Sequence, residues 1–190
     1  MKNRIWITTD THFGHDKLVE YSGRPENHSE LVILGLQKNI DAGDTLIHLG
    51  DICIGKDEQW HNVLSNTLPG VKRILVKGNH DGKSNAWYLS HGWDFVCDKF
   101  EDTYFGKKIV FSHIPVKDDD EFDLNIHGHF HNNLHRLLQR DYRVEGEKER
   151  NMVHLSLLTP KHKLLAIENT KYQPVLLESF INSPCPVPKG

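Results

Sequence analysis

Asp10-x-His12 and His127-x-His129-x-His131 are the stretches of this chain most able to do chemistry. Both pair carboxylate or imidazole groups at alternate positions, and alternate side chains on an extended backbone point the same way. Gly50-Asp51, Gly78-Asn79-His80-Asp81 and Ser112-His113 add groups of the same kind. Taken together, Asp10, His12, Asp51, Asn79, His80, His113, His129 and His131 are oxygen or imidazole donors, and only Cys53 offers sulfur nearby. Such a mixed set suits Mn, Fe, Zn and related divalent ions, whereas an all-oxygen set would suggest Mg or Ca. Without His80, the other seven donors exceed what one tetrahedral ion needs. With one carboxylate shared, they suit two ions roughly 3.5–4 Å apart, the spacing of two-metal hydrolases. His80 stands apart as a group that can donate a proton near neutral pH.

Each cluster closes an apolar run. Ile5–Thr9 is read as the first strand, Thr45–Leu49 as the second and Val71–Lys77 as the third, with helices over Ser29–Ile40 and Glu58–Asn66 between them. Ser29 is the predicted cap of the first of these helices, and Tyr21–His28 is read as loop. This strand–helix rhythm predicts a βαβ array, in which ligands collect at the carboxyl ends of the strands. The second half changes character. A short helix is expected at Ser84–Ser90, a hairpin from Phe95–Tyr104 and Lys108–Phe111, an acidic loop at Val116–Glu121 and a strand at Leu124–Ile126. Leu164–Glu168 and Val175–Leu177 are expected to close the sheet. Residues 1–180 are read as one domain, with 132–163 an insertion or charged excursion and 181–190 a proline-rich tail.

The chain has 190 residues, a formal net charge of −3, 14 histidines and three widely separated cysteines. The charge gives no general drive towards duplex nucleic acid or acidic membrane. No apolar run is long enough to span a bilayer, and the cysteines form no CxxC, so a reducing cytoplasm is expected. A His-x-His-x-Asp-His site, a His-Glu-x-x-His zincin helix, a Gly-x-Ser-x-Gly elbow and a Walker A loop are all absent.

Asp10-Thr11-His12, Gly50-Asp51, Gly78-Asn79-His80-Asp81, His113 and Gly128-His129-Phe130-His131 together resemble the motif set of the calcineurin-like metallophosphoesterase superfamily. Asp10–His15, His48–Asp51 and Asn125–His129 are similar to its small single-domain bacterial and phage members. Glu168 and Tyr172–Val175 are similar to the C-terminal end of that group. The resemblance implies an α/β, four-layer αββα sandwich of two mixed sheets flanked by helices. It implies that Asp10, His12 and His131 hold one ion, that Asn79, His113 and His129 hold the other, and that Asp51 bridges them. A bridging hydroxide then attacks phosphorus in line, and His80 protonates the leaving oxygen. Mn²⁺ is the first expectation for both ions, with Fe, Zn, Ni or Mg as substitutes. Ile52-Cys53-Ile54 after Gly50-Asp51 departs from the phosphoprotein-phosphatase pattern.

Four further residues carry two readings each. His15 is either a substrate contact or a supporting or surface histidine. Arg24 is either a phosphate clamp or a surface-loop arginine. His127 is out of the ligand register and is expected to sit behind the ligands. Asp81 either orients His80 or caps the next helix. His48, inside a strand, is expected to be a satisfied buried histidine. The expected partner is a small phosphate ester, nucleotides included, at an open site without a cap domain. A nuclease of the same chemistry is the first alternative; long nucleic acid is disfavoured, although the Arg136–Arg150 stretch could supply a local basic patch. A non-catalytic metal-binding interaction module on the same fold is the second. The oligomeric state is left open.

Overall fold

A computed structural model describes residues 3–117, 121–132 and 159–184. The element order among them is β1 (Ile5–Thr8), α1 (Leu18–Ser22), α2 (His28–Asn39), β2 (Thr45–His48), α3 (Asp57–Thr67), β3 (Lys72–Val76), α4 (Asn85–Ser90), β4 (Phe95–Cys97), β5 (Lys99–Tyr104), β6 (Lys107–Ser112), β7 (Leu124–His127), β8 (His162–Leu164), β9 (Val175–Leu176) and α5 (Leu177–Asn182). They form two mixed sheets with flanking helices, the αββα arrangement expected from the sequence. The first sheet has the order β4-β3-β2-β1-β9, with only β9 antiparallel to its neighbour. The second has the order β5-β6-β7-β8, with only β5 antiparallel.

The period-two alternation of the strands builds two cores. Ile7, Ile47, Ile74 and Val76 point between the sheets and meet Ile109, Phe111, Leu124 and Ile126. Trp6, Leu46 and Leu75 point the other way, against Val32 and Leu36 of α2, Leu64 of α3 and Tyr88 of α4. α5 buries Leu177 and Ile181 against the inter-sheet core and touches β1 and β9. Because β1, β2 and β3 are parallel and in register, their carboxyl ends lie side by side. The ends of β6 and β7 complete the group from the second sheet, also in parallel register.

Several expectations are corrected. The stretch Phe95–Tyr104 is not one arm of a hairpin: it breaks at Asp98, so that β4 joins the first sheet beside β3 and β5 joins the second beside β6. Ser29 does not cap α2, which begins at His28; the Ser29 hydroxyl instead accepts the Gly14 N–H at 3.2 Å. The five-residue helix α1 partly occupies the predicted loop. β8 ends at Leu164, two strands close different sheets rather than one, and α5 continues to Asn182. Most of the 132–163 excursion, the Arg136–Arg150 patch included, and the end of the tail lie outside the described residues. No described helix is long and apolar enough to cross a membrane.

Candidate metal centre

The turns after β1, β2, β3, β6 and β7 are stitched to one another. The β1 turn hydrogen-bonds to the β2 turn through Asp10 N–H to Gly50 O at 2.9 Å and His12 N–H to Asp51 O at 3.0 Å. The Asp81 carboxylate accepts the N–H groups of Asp51 (2.7 Å), Ile52 (3.2 Å) and Gly78 (2.8 Å), tying the β2 turn to the β3 turn. His80 N–H donates to Asp51 Oδ1 at 2.9 Å, and His129 N–H to Asp10 Oδ2 at 3.0 Å. Close approach requires glycine at three places, one of them Gly50, whose Cβ would overlap the Gly78 backbone. A Cβ on Gly78 would overlap Asp51, and one on Gly128 would overlap Thr9 and Asp10.

Five of the seven expected ligands have left-handed backbone: Asp10 (φ 49°), His12 (43°), Asp51 (57°), His129 (73°) and His131 (51°). This region costs a non-glycine residue of order 1–3 kcal/mol and persists only where surroundings impose it. Here the cross-turn hydrogen bonds impose it.

The structure brings all seven expected ligands together. The donor atoms of Asp10, His12 and His131 lie within 4.8 Å of one another, and so do those of Asp51, His113 and His129. Asn79 Oδ1 joins the second group, 3.1 Å from His113 Nε2. Asp51 Oδ2 faces both, 3.6 Å from His12 Nε2 and 3.3 Å from His113 Nε2.

Several of these side chains have one atom held by the protein and a second left over. Asp10 Oδ2 takes hydrogen bonds from Thr9 Oγ1 and His129 N, while Oδ1 is buried without a partner, 3.8 Å from His12 Nε2 and 3.9 Å from His131 Nε2. Both ring nitrogens of His12 are buried and unpartnered. His113 donates Nδ1–H to Leu49 O at 2.7 Å, which turns Nε2 towards Asn79 Oδ1, Asp51 Oδ2 and, at 3.2 Å, His129 Nδ1. Orphaned buried acceptors are costly, and acceptors converging on one point demand positive charge there. The residues present therefore fit a divalent cation in each group.

Electrostatics agree for two of the histidines. Burial holds His12 well below its ordinary value and His129 at about 4, so both rings are neutral imidazoles, the form that binds metal. Burial alone would lower His113 and raise Asp51. Their contact outweighs it, raising His113 to about 9 and holding Asp51 below the usual carboxylate range. Burial and the Asp51 carboxylate push Asp81 up to about 6.

The remaining expected residues divide. His80 sits at the rim, its side chain 48 % exposed, with Nε2 4.0 Å from Asp51 Oδ2 and its ring 5.5 Å from that of His12. The His15 ring is 5.8 Å from that of His12, with Nδ1 buried and unpartnered. His127 is buried, bonds Gly128 O through Nδ1 and packs against Phe130 and His162; burial drops it to about 3. Asp81 neither caps α4, which Ser84 Oγ does, nor bonds the His80 side chain; its carboxylate serves the two turns. His48 is satisfied, between Thr11 Oγ1 and Gly50 N–H.

Arg24 is not a surface residue. Its side chain is fully buried, and its guanidinium reaches Glu168, Asp10 O, Thr11 O and His131 Nδ1. Glu168, Thr9 and Leu49 were not among the expected site residues. Thr9 and Leu49 act through a hydroxyl and a carbonyl, which leave no mark in a sequence. Glu168 carried a signal in its resemblance to the family's C-terminal end, but none in local spacing.

An αββα sandwich with two donor clusters at the strand ends is the layout of a phosphoesterase. Residues 3–166 match the pattern of the calcineurin-like phosphoesterase family, and the chain belongs to that family. It is 25 % identical over 189 residues to an uncharacterized protein of Methanocaldococcus jannaschii, covering 94 % of this chain and 89 % of that one. It is 33 % identical over 85 residues to the gene 66 protein of Mycobacterium phage L5, a match covering 42 % of this chain and 41 % of the phage protein. Its fold is similar to that of an Aquifex aeolicus protein of unknown function, with a TM-score of 0.65, 21 % identity and 95 % and 98 % of the two chains covered.

Proposed function

We propose that the chain is a dinuclear metal-dependent phosphoesterase acting on phosphomonoesters or phosphodiesters. The observation that carries this reading is the position of Asp51 Oδ2, between His12 Nε2 of one donor cluster and His113 Nε2 of the other. Asp10, His12 and His131 would hold one ion, Asn79, His113 and His129 the second, and Asp51 both. Two divalent cations there, with Mn²⁺ the first choice and Fe, Zn, Ni or Mg alternatives, would supply Lewis acidity, lowering the pKa of bound water and neutralising the phosphate oxygens.

The chain's own groups do the rest. Asp51 is fixed by the His80 N–H, so its free oxygen is aimed without losing side-chain freedom on binding. His80, exposed on the open side, is the group that reaches a leaving oxygen and protonates it. Among the described residues the rim is open at His80, which suits small esters, nucleotides included. A nuclease reading gains from an open cleft of about 530 Å³ lined by Lys56, Lys83 and Trp87, close in sequence to Asp51 and His80. Asp57 and Glu58 on the same wall weigh against a polyanion. The complete donor set together with His80 argues against a non-catalytic module. The unpaired Cys53 and Cys97 support a reducing, cytoplasmic setting.

The test is hydrolysis of matched chromogenic mono- and diesters after chelation, with Mn²⁺, Mg²⁺ or Zn²⁺ restored. Metal-dependent turnover that Asp51→Asn abolishes is expected. Absence of hydrolysis with every metal overturns the reading.

A further inference from the structure

We infer that Arg24 and Glu168 are positioning residues that set the ring tautomer of His131 and the turn carrying Asp10 and His12, pre-forming one of the two half-sites. The inference rests on the metal-dependent reading above and goes beyond it, because neither residue offers an atom to the donor cluster.

Proton counting fixes the direction of each bond. Arg24 Nη2 has two hydrogens. It lies 2.6 Å from Glu168 Oε1 and 2.8 Å from Asp10 O, two acceptors that use both. His131 Nδ1 also lies 3.0 Å from Arg24 Nη2 and 3.0 Å from Glu168 Oε1. With no hydrogen left on Nη2 for the ring, Nδ1 is itself the donor, and Glu168 Oε1 accepts. The lone pair is then on Nε2, which faces the unpartnered Asp10 Oδ1. The opposite tautomer would set the Nδ1 lone pair against the Glu168 carboxylate. The His131 ring is also stacked on His12, 5.1 Å between centroids and 14° between planes, so its orientation is fixed along with its proton.

The same guanidinium holds the backbone. Nη1 donates to Thr11 O at 3.2 Å and Nη2 to Asp10 O, the carbonyls of the two peptides that join the left-handed residues Asp10 and His12 through Thr11. One buried pair thus joins the β1 turn, the loop ahead of α2, the β7 turn and the segment after β8. The other half-site has a different support, the Leu49 carbonyl on His113. Supporting carboxylates of this kind change metal affinity by about 10- to 100-fold when removed.

The test uses Glu168→Gln, which replaces the carboxylate shared by Arg24 and His131 with a neutral amide, and counts bound Mn²⁺ by electron paramagnetic resonance titration. Wild type should bind two ions. In the variant one affinity falls by about 10- to 100-fold and the other is unchanged. In an Asn79→Ala background the remaining ion shows the whole loss; in a His12→Ala background Glu168→Gln adds nothing. Long-range ¹H–¹⁵N correlation of the chelated wild type should show His131 protonated on Nδ1, a reading that needs no variant to fold. A folded Glu168→Gln chain with both affinities unchanged, or a His131 ring carrying its proton only on Nε2, overturns the proposal. A wild-type chain that binds no divalent ion overturns the metal-dependent reading itself, and is told apart because the variant then has no affinity to change.

Discussion

Asp81 Oδ2 accepts the backbone N–H of Asp51 at 2.7 Å, and through that bond a buried carboxylate on one turn braces the turn that carries the Asp51 carboxylate. The same side chain also takes the N–H groups of Ile52 and Gly78. Asp81→Asn keeps the shape but turns an NH₂ group towards one of these donors. Leaving a buried donor unpaired costs about 1–3 kcal/mol. A loss of that much stability in urea denaturation, with weaker metal binding, is expected. A variant as stable as wild type would show that the three bonds do not hold the turns together.

Gly128 is pressed against Thr9 and Asp10, with no room for a methyl group. Gly128→Ala must push the His129–His131 turn away from Asp10. A displacement near 1 Å at a reacting centre can cost about 10²-fold in rate. Turnover should drop on that scale while the circular dichroism spectrum is preserved. Gly106→Ala is the contrast: it is left-handed at φ 74° with open space around its α-carbon, so it brings backbone strain without overlap, whereas Gly128→Ala brings overlap without that strain.

His80 is tested by the leaving group. If it supplies the proton, His80→Ala should slow alkyl phosphate esters by about 10²–10⁴-fold. Nitrophenyl esters, whose leaving oxygen needs no proton, should change little. Equal losses on both would assign His80 a binding role instead.

The donor clusters were legible because polar residues that end apolar runs leave a local pattern. The β1–α–β2–α–β3 rhythm was legible for the same reason. What escaped depends on contacts between distant segments. Arg24 and Glu168 are 144 residues apart, and nothing near either marks the other. Phe95–Tyr104 has uniform strand character, so the change of sheet at Asp98 follows from which neighbours are available, not from composition. Asp81 was ambiguous because a helix cap and a turn-to-turn brace both need an acceptor for backbone N–H groups.

His61 makes an acid-sensitive point in the core away from the donor clusters. It is 1 % exposed, enclosed by Trp87, Tyr88 and Trp93, and Trp93 Nε1–H donates to its Nδ1 at 2.9 Å. Burial is the main cause that lowers it from 6.5 to about 4, with nearby Asp57 opposing. A second proton would sit on Nδ1, against the indole N–H. The folded value lies below the unfolded one, so between about 4 and 6.5 the unfolded chain binds more protons. The stabilising contribution is therefore complete above pH 6.5 and is lost as pH falls towards 4, by about 3 kcal/mol across the window. His61→Asn keeps an oxygen acceptor for Trp93 and removes the titration. Urea midpoints measured from pH 4 to 8 should fall less steeply below 6.5 in the variant than in wild type. Identical slopes would mean that His61 is already charged in the folded chain or has left its aromatic pocket.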